Sequence, residues 1–397
     1  MADYSTTDVR KPVKLRTGEG AAGIPAVTVP QQFKKISEQA PNDEALIGAD
    51  NKVFTYKQYY NESKRFGKSL LKIGFKRWDS VNIIGFNSYE YSIAFMGCIF
   101  VGGISSGIYT TNNPGACKYC AQKSNCTVVL CEGKKQLDKY IEIQNEFKPL
   151  CYIIYNLGDD QLPQSNIKIY LWEEFLDISN GTNDNEIDKI TNSLDPMQCC
   201  SLIYTSGTTG DPKVVMLSHD NYVFTATSAV LSVLPLDSLD DIPRVDEIFG
   251  RMVIVSYLPL SHVAAQLVDF FLQMIVPLKI YFAQPDALKG SLVHTLNKAN
   301  PRIHLGVPRV WEKVRDTLRN KINDGNCMKT GIANWAFNKG TLYRDSKQYN
   351  SQSSTSWFHS LADKILFNKI KQGLGMTKLH AGVSSAAPIS KDIVEFF

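Results

Sequence analysis

Nine consecutive residues, Thr205-Ser-Gly-Thr-Thr-Gly-Asp-Pro-Lys213, concentrate hydrogen-bond donors in a way that asks for an anionic partner. Gly207 and Gly210 open backbone conformations closed to residues with a Cβ, so their amides can turn inward together as an anion nest. Thr205, Ser206, Thr208 and Thr209 add hydroxyls, and Lys213 adds a positive charge at the far end. Asp211 and Pro212 lead the chain out, with the proline stiffening the exit. A chain of phosphates needs that many donors at once; the competing reading is a plain polar hairpin, since Ser, Thr and Gly are common turn residues. The spacing of Gly207, Gly210 and Lys213 excludes the Walker A pattern.

The elements around this segment must hold it. Cys200-Ser-Leu-Ile-Tyr204 reads as an apolar strand running into it, Val214-Val-Met-Leu217 as a strand leaving it, and Ser218-His-Asp-Asn221 as a helix start. His219 there is read as part of a capping sequence rather than a catalytic group. Upstream, strand-like and helix-like stretches alternate. Residues 52–55, 80–84, 127–131 and 150–155 read as strands, and 56–73, 89–101, 114–124 and 134–147 as helices. That alternation predicts an α/β fold with largely parallel sheets. Residues 1–29 are polar and expected to be a flexible N-terminal segment; a domain over 30–397 follows, with a subdomain boundary near 180–195 at a polar linker.

Composition narrows the function classes. The chain has 397 residues, 43 Lys plus Arg against 39 Asp plus Glu, and 44% hydrophobic residues. The near-balanced charge gives no footprint for nucleic acid. The first thirty residues lack an apolar core of the secretory type. The charge-free run 91–117 is broken by Gly102-Gly103, Asn112-Asn113 and Pro114, so it reads as a buried helix and strand rather than a membrane span. Nine cysteines, an odd number, point to reduced thiols. Cys117, Cys120, Cys126 and Cys131 invite a zinc reading, but no second CxxC closes such a site and Cys131 ends an apolar strand, so no metal site is expected.

The 205–213 segment resembles the phosphate-binding signature of the adenylate-forming, AMP-binding superfamily. Tyr257-Leu-Pro-Leu-Ser-His262-Val-Ala-Ala-Gln266 resembles the second core motif of its long-chain acyl-CoA synthetases, and Leu305-Gly-Val-Pro-Arg-Val-Trp-Glu-Lys313 a segment of the same branch. Gly85-Phe-Asn-Ser88, Gly107-Ile-Tyr-Thr-Thr111 and Tyr170-Leu-Trp-Glu-Glu-Phe175 are similar to the bubblegum-type enzymes. The resemblance implies the large N-terminal region of the adenylate-forming fold, with two subdomains of mixed, largely parallel sheets. It implies long-chain fatty acid–CoA ligation with ATP, Mg²⁺ and coenzyme A, in the cytoplasm, with room for peripheral attachment to a membrane such as the endoplasmic reticulum. Residues 205–213 would hold the β- and γ-phosphates, with Lys213 catalytic. His262 would serve catalysis and the fatty-acid carboxylate, Val307 and Trp311 would line the acyl site, and Ser385, Ala386, Ala387 and Pro388 would pack on adenine. A short-chain or aryl-CoA ligase, or a non-catalytic nucleotide- or acyl-binding remnant, are the alternatives. Val214 and Ser385 stand where the family usually has glycine, and the motifs the family carries after the segment resembling its Gly-Ala-Ala-Pro, here Ala381-Gly-Val-Ser-Ser-Ala-Ala-Pro388, are not found. Acyl chain length and oligomeric state stay open.

Overall fold

The computed structural model describes residues 4–16, 18, 23–205, 212–234, 245–323, 327–348 and 356–397. The chain divides into two compact units, residues 1–252 with 256–285, and residues 253–255 with 286–397. The first strands, β1 (Glu44–Ile47) and β2 (Val53–Thr55), pair antiparallel. Thr55 then caps the Tyr56–Lys72 helix in a reciprocal bond pair with Gln58, which is why the strand turns directly into helix there.

The first unit is built on a seven-stranded sheet. Its strands are β3 (Ser80–Ile84), β4 (Ile104–Ile108), β5 (Cys126–Glu132), β6 (Cys151–Tyr155), β7 (Ile169–Leu171), β8 (Cys199–Thr205) and β9 (Lys213–Ser218), in the spatial order β7-β6-β5-β3-β4-β8-β9. All pairs are parallel except β8 with β9. β3, β4 and β6 are buried along their whole length, as strands covered on both faces should be. The serines of β4 are accommodated because each finds an oxygen partner: Ser105 Oγ donates to Phe95 O at 2.6 Å, and Ser106 Oγ to Tyr204 Oη at 3.3 Å. Cys117, Cys120, Cys126 and Cys131 lie in the core beside this sheet with Tyr140 and Ile154. Burial pushes the Cys117 thiol up to about 11 and those of Cys120 and Cys126 to about 12.

Two features of the structure bear on the expected domain organisation. The expected boundary near 180–195 does not divide the units, because β8 and β9 join the same sheet as the strands before it. Part of the polar linker is instead the Asp184–Asn192 helix. Its polar composition hides one buried anchor, Ile187, while its acids face basic residues on the Tyr56–Lys72 helix. Lys64 Nζ lies 3.2 Å from Asp184 and 2.7 Å from Asp188, and Lys68 also pairs with Asp184. The first 29 residues are likewise tied down where they are described. Arg16 Nε donates to Asp220 at 3.0 Å and its guanidinium lies over the Phe224 ring, and Val13 N donates to Met197 O. Thr28 caps the Val29–Gln39 helix.

β10 (Met252–Ser256) runs through the division between the units, and β11 (Leu278–Phe282) pairs parallel with β1 in the first. The second unit holds a parallel pair, β12 (Ile303–Gly306) and β13 (Ala381–Ser384), with the helices that follow each strand. Among the described residues no helix is long and apolar enough to cross a membrane.

Candidate active site

Strands β8 and β9 form the stem of the donor-rich segment, with Thr205 opposite Lys213. Thr205 Oγ1 donates to Lys213 O at 3.4 Å, and Pro212 O accepts from Tyr119 Oη at 3.0 Å. Thr205 and Lys213 are both exposed at the open end of this hairpin. Ser206, Gly207, Thr208, Thr209, Gly210 and Asp211 lie outside the described residues. Val214 is extended and half-buried opposite Tyr204, so the valine there needs no conformation reserved for glycine.

His262 is set by a buried loop. The segment from Tyr257 to Ser261 is buried apart from Pro259, so its backbone polar groups need partners inside the protein. Two amide side chains supply them. Asn87 Nδ2 donates to Leu258 O at 2.7 Å and to Ser256 Oγ at 2.8 Å, while Asn87 Oδ1 accepts from Leu260 N at 3.2 Å. Gln266 Nε2 donates to Leu260 O at 2.8 Å, and Tyr222 Oη donates to Gln266 Oε1 at 2.7 Å. Gly107 lies beneath the loop, where a Cβ would come within 2.8 Å of Ser261 Cα, so a side chain there would displace it.

His262 emerges from this loop half-buried, as the N-cap of the Val263–Gln266 helix. Its Nδ1 accepts from Ala264 N at 3.3 Å. An imidazole nitrogen that accepts carries no proton, so in the neutral ring Nε2 is the donor. The first turn of a helix also favours an anion. His219, by contrast, is fully buried, and Nδ1 accepts from Val29 N at 3.3 Å. Burial, with the charge of Arg77 nearby, pushes it down to about 3.

In the second unit, the Leu305-to-Lys313 and Gly-Ala-Ala-Pro-like segments meet. Gly306 pairs with Ser384, so Val307 and Ser385 leave neighbouring parallel strands at the same, carboxyl end, where ligands of parallel sheets commonly bind. Trp311 is buried and stitches the two strands together, with Nε1 donating to Gly306 O at 3.1 Å and Val383 O at 3.4 Å. Ser385, Ala386, Ala387 and Pro388 are exposed, and Ala386 has φ +73°, a left-handed conformation that an alanine adopts only under strain. Trp311 also borders a cavity of about 950 Å³ whose apolar lining includes Phe337, Phe367, Ile393, Phe396 and Phe397. Val307 is half-buried at the start of the Pro308–Asn323 helix and is not part of that lining.

Sequence reasoning did not single out Asn87, Gly107 or Asp269 for this arrangement. Asn87 and Gly107 fall within stretches similar to the bubblegum-type enzymes, which is the signal that could have found them. In the sequence Asp269 is a single acid within the mostly apolar stretch 253–282, which by itself marks no role. It is buried and accepts from Ser256 Oγ. Burial pushes its carboxyl up to about 7, with the Ser256 bond acting in the opposite direction.

A family model described as AMP-binding enzyme matches residues 33–397. The long-chain-fatty-acid–CoA ligase ACSBG2 of Xenopus laevis is 40% identical over 389 residues, 97% of this chain and 51% of the relative. The Gallus gallus ACSBG2 is 38% identical over 397 residues, 99% of this chain and 50% of the relative. The Homo sapiens ACSBG1 is 37% identical over 346 residues, 86% of this chain and 46% of the relative. The chain thus spans about half the length of the curated relatives it matches. Among solved structures, the anthranilate CoA ligase AuaEII in complex with anthranoyl-AMP superposes with a TM-score of 0.59 at 19% identity, covering 75% of this chain and 53% of that one. The N-terminal domain of FACL13 from Mycobacterium tuberculosis gives a TM-score of 0.55 at 17% identity, covering 72% and 64%. These likenesses carry the fold: mixed, largely parallel sheets of the N-terminal domain of adenylate-forming enzymes.

Proposed function

This chain belongs to the AMP-binding enzyme family, and from that premise we propose that it forms the acyl-activating part of a long-chain fatty acid–CoA ligase. The observation that carries the reading is the identity of 34–40% with bubblegum-type long-chain ligases over most of the chain. The reaction has two displacements. A carboxylate oxygen of the fatty acid attacks the α-phosphorus of ATP, the bond to the bridging oxygen breaks, and pyrophosphate leaves with both electrons of that bond. The sulfur of coenzyme A then attacks the acyl carbon, AMP leaves, and the thiol gives up its proton.

The first step brings two anions together, so cationic and hydrogen-bonding groups are what the chain has to supply. In this reading residues 205–213 hold the β- and γ-phosphates, with Lys213 contributing its charge. Magnesium accompanies the nucleotide as its counter-ion, and no residue of the chain is assigned to it. His262, with Nε2 as donor, directs a hydrogen bond to the fatty-acid carboxylate and holds it for attack. Ser385, Ala386, Ala387 and Pro388, all small and at the end of β13, give adenine a flat surface to approach. The cavity beside Trp311 takes the acyl chain; its volume of about 950 Å³ lies within the roughly 300–1,000 Å³ usual for small-molecule sites. Val307, outside the lining of that cavity, is assigned to acyl binding by its position after β12.

Non-hydrolysable acyl-adenylate analogues of increasing chain length test this on the purified chain by calorimetry. Each buried CH₂ contributes about 0.8 kcal/mol, so affinity should climb steadily from an eight- to a sixteen-carbon chain. A flat series would overturn the long-chain reading in favour of a short-chain or aryl substrate. Lys213→Ala should weaken MgATP by about 1.5–3 kcal/mol, the range of a charge-assisted contact. Unchanged MgATP affinity would remove the hairpin from the nucleotide site.

A further inference from the structure

We propose that Asp269 is a positioning residue for His262: through Ser256 and Asn87 it sets the direction of the hydrogen bonds that staple the His262 loop. The inference rests on the reading of His262 given above. Asp269 belongs to a single turn of π-helix, Leu267–Phe271, an irregularity often found at functional sites. It is buried directly before Phe270 and Phe271, with the Tyr257 hydroxyl feeling its charge. Among the described residues no ion pair reaches it, and a buried carboxyl so placed is a costly choice of residue for packing alone.

The bonds run in one direction. Ser256 has a single hydroxyl proton and gives it to Asp269 Oδ2. Its lone pairs are therefore left facing Asn87, which must present Nδ2 rather than Oδ1. That orientation is the one in which Nδ2 also reaches Leu258 O and Oδ1 receives Leu260 N. The loop then closes on itself, with His262 N donating to Pro259 O at 2.9 Å, and the Nδ1 bond to Ala264 N follows. The ionised carboxyl is acceptor-only and fixes that direction, and the protonated carboxyl keeps it with its proton on Oδ1. With an apolar side chain at 269, the Ser256 proton would turn toward Asn87 and compete with Nδ2, and the staple would lose its preferred orientation.

The test uses the full chain with ¹⁵N-labelled histidine, following the two ring nitrogens of His262 by NMR, assigned through His262→Gln. In the wild type without ligand the two resonances should be widely separated, the signature of a ring locked with its proton on Nε2. Asp269→Asn keeps an oxygen acceptor and should retain that separation. Asp269→Leu should lose it as the ring begins to exchange tautomers. Ser256→Ala, which removes the bridge without enlarging an apolar side chain, should lose it too, and it decides the matter should Asp269→Leu fail to fold. Folded Asp269→Leu or Ser256→Ala protein with the wild-type separation would overturn the proposal, as would loss of the separation in folded Asp269→Asn. The function reading fails separately: if a saturating acyl-adenylate analogue leaves the wild-type Nε2 resonance unmoved, His262 does not face the acyl carboxylate, whatever the ligand-free spectra say of Asp269.

Discussion

Ser218-His219 and Ser261-His262 are the same dipeptide at the start of a helix, and they end in opposite circumstances. In the first, serine takes the N-cap, accepting from Asn221 N, and the histidine falls one position inside the helix and is fully buried. In the second, the histidine itself is the N-cap and its ring stays half-exposed. A shift of one residue in the cap turns one imidazole into the core and leaves the other at the surface. The surroundings follow: Asp220 beside His219 is committed to Arg16, whereas the loop before His262 is held from below by Asn87 and Gln266, and Nε2 is the atom that serves a ligand in the reading proposed here. Residue type at a helix start is therefore weaker evidence of a role than the identity of the capping residue.

The sharpest way to break that comparison is to truncate both rings. His219→Ala leaves a core cavity and takes away the acceptor of Val29 N; the loss of stability should be about 4 kcal/mol. His262→Ala removes only an N-cap bond, and about 1 kcal/mol is expected. Urea unfolding of both variants checks this, and equal losses would mean that both histidines are structural.

Titration separates the two regions next. His219 is pushed down to about 3 in the folded chain, so the unfolded chain takes up a proton near 6.5 that the folded one refuses. Its contribution to stability is present above the unfolded value and is lost as pH falls from about 6.5 toward 3. Asp269 is pushed up to about 7, so the folded chain keeps a proton that the unfolded one releases near 3.9. Its contribution is present at low pH and is lost as pH rises from about 4 through 7. Each effect amounts to about 3 kcal/mol between pH 4 and 7, with opposite sign. Unfolding free energies measured across that window should tilt downward with rising pH in His219→Asn relative to wild type, and upward in Asp269→Asn. Parallel curves in all three proteins would show that neither group titrates as its burial requires.

What was legible in the sequence was local. The strand–helix alternation, the Thr55 and Ser218 caps and the stem of the donor-rich hairpin each depend on residues within a few positions of one another, where periodicity and capping chemistry speak directly. The staple under His262 is not local: Asn87 and Ser256 are 169 residues apart, and no spacing rule joins them. The same holds for Arg16 and Asp220, 204 residues apart, which is why the first residues read as loose. The 179–188 stretch misled for a different reason. A short helix that buries one isoleucine and pairs its acids with lysines on another helix has the composition of a linker.

The smallest test concerns the serines. Ser218 Oγ accepts from Asn221 N at 3.2 Å and Asn221 Oδ1 accepts from Ser218 N at 2.9 Å, a reciprocal pair that satisfies two donors at the helix start. Ser218→Ala should therefore cost about 1 kcal/mol. Ser261 caps nothing, because His262 occupies that place; its position is set by its backbone lying close over Gly107. Ser261→Ala keeps that backbone and should change stability by less than about 0.5 kcal/mol. Thermal or urea unfolding of the two alanine variants, compared on the same day against wild type, resolves a difference of this size. If Ser261→Ala costs as much as Ser218→Ala, the cap lies one residue earlier than assigned, His262 sits inside its helix as His219 does, and the distinction between the two histidines collapses.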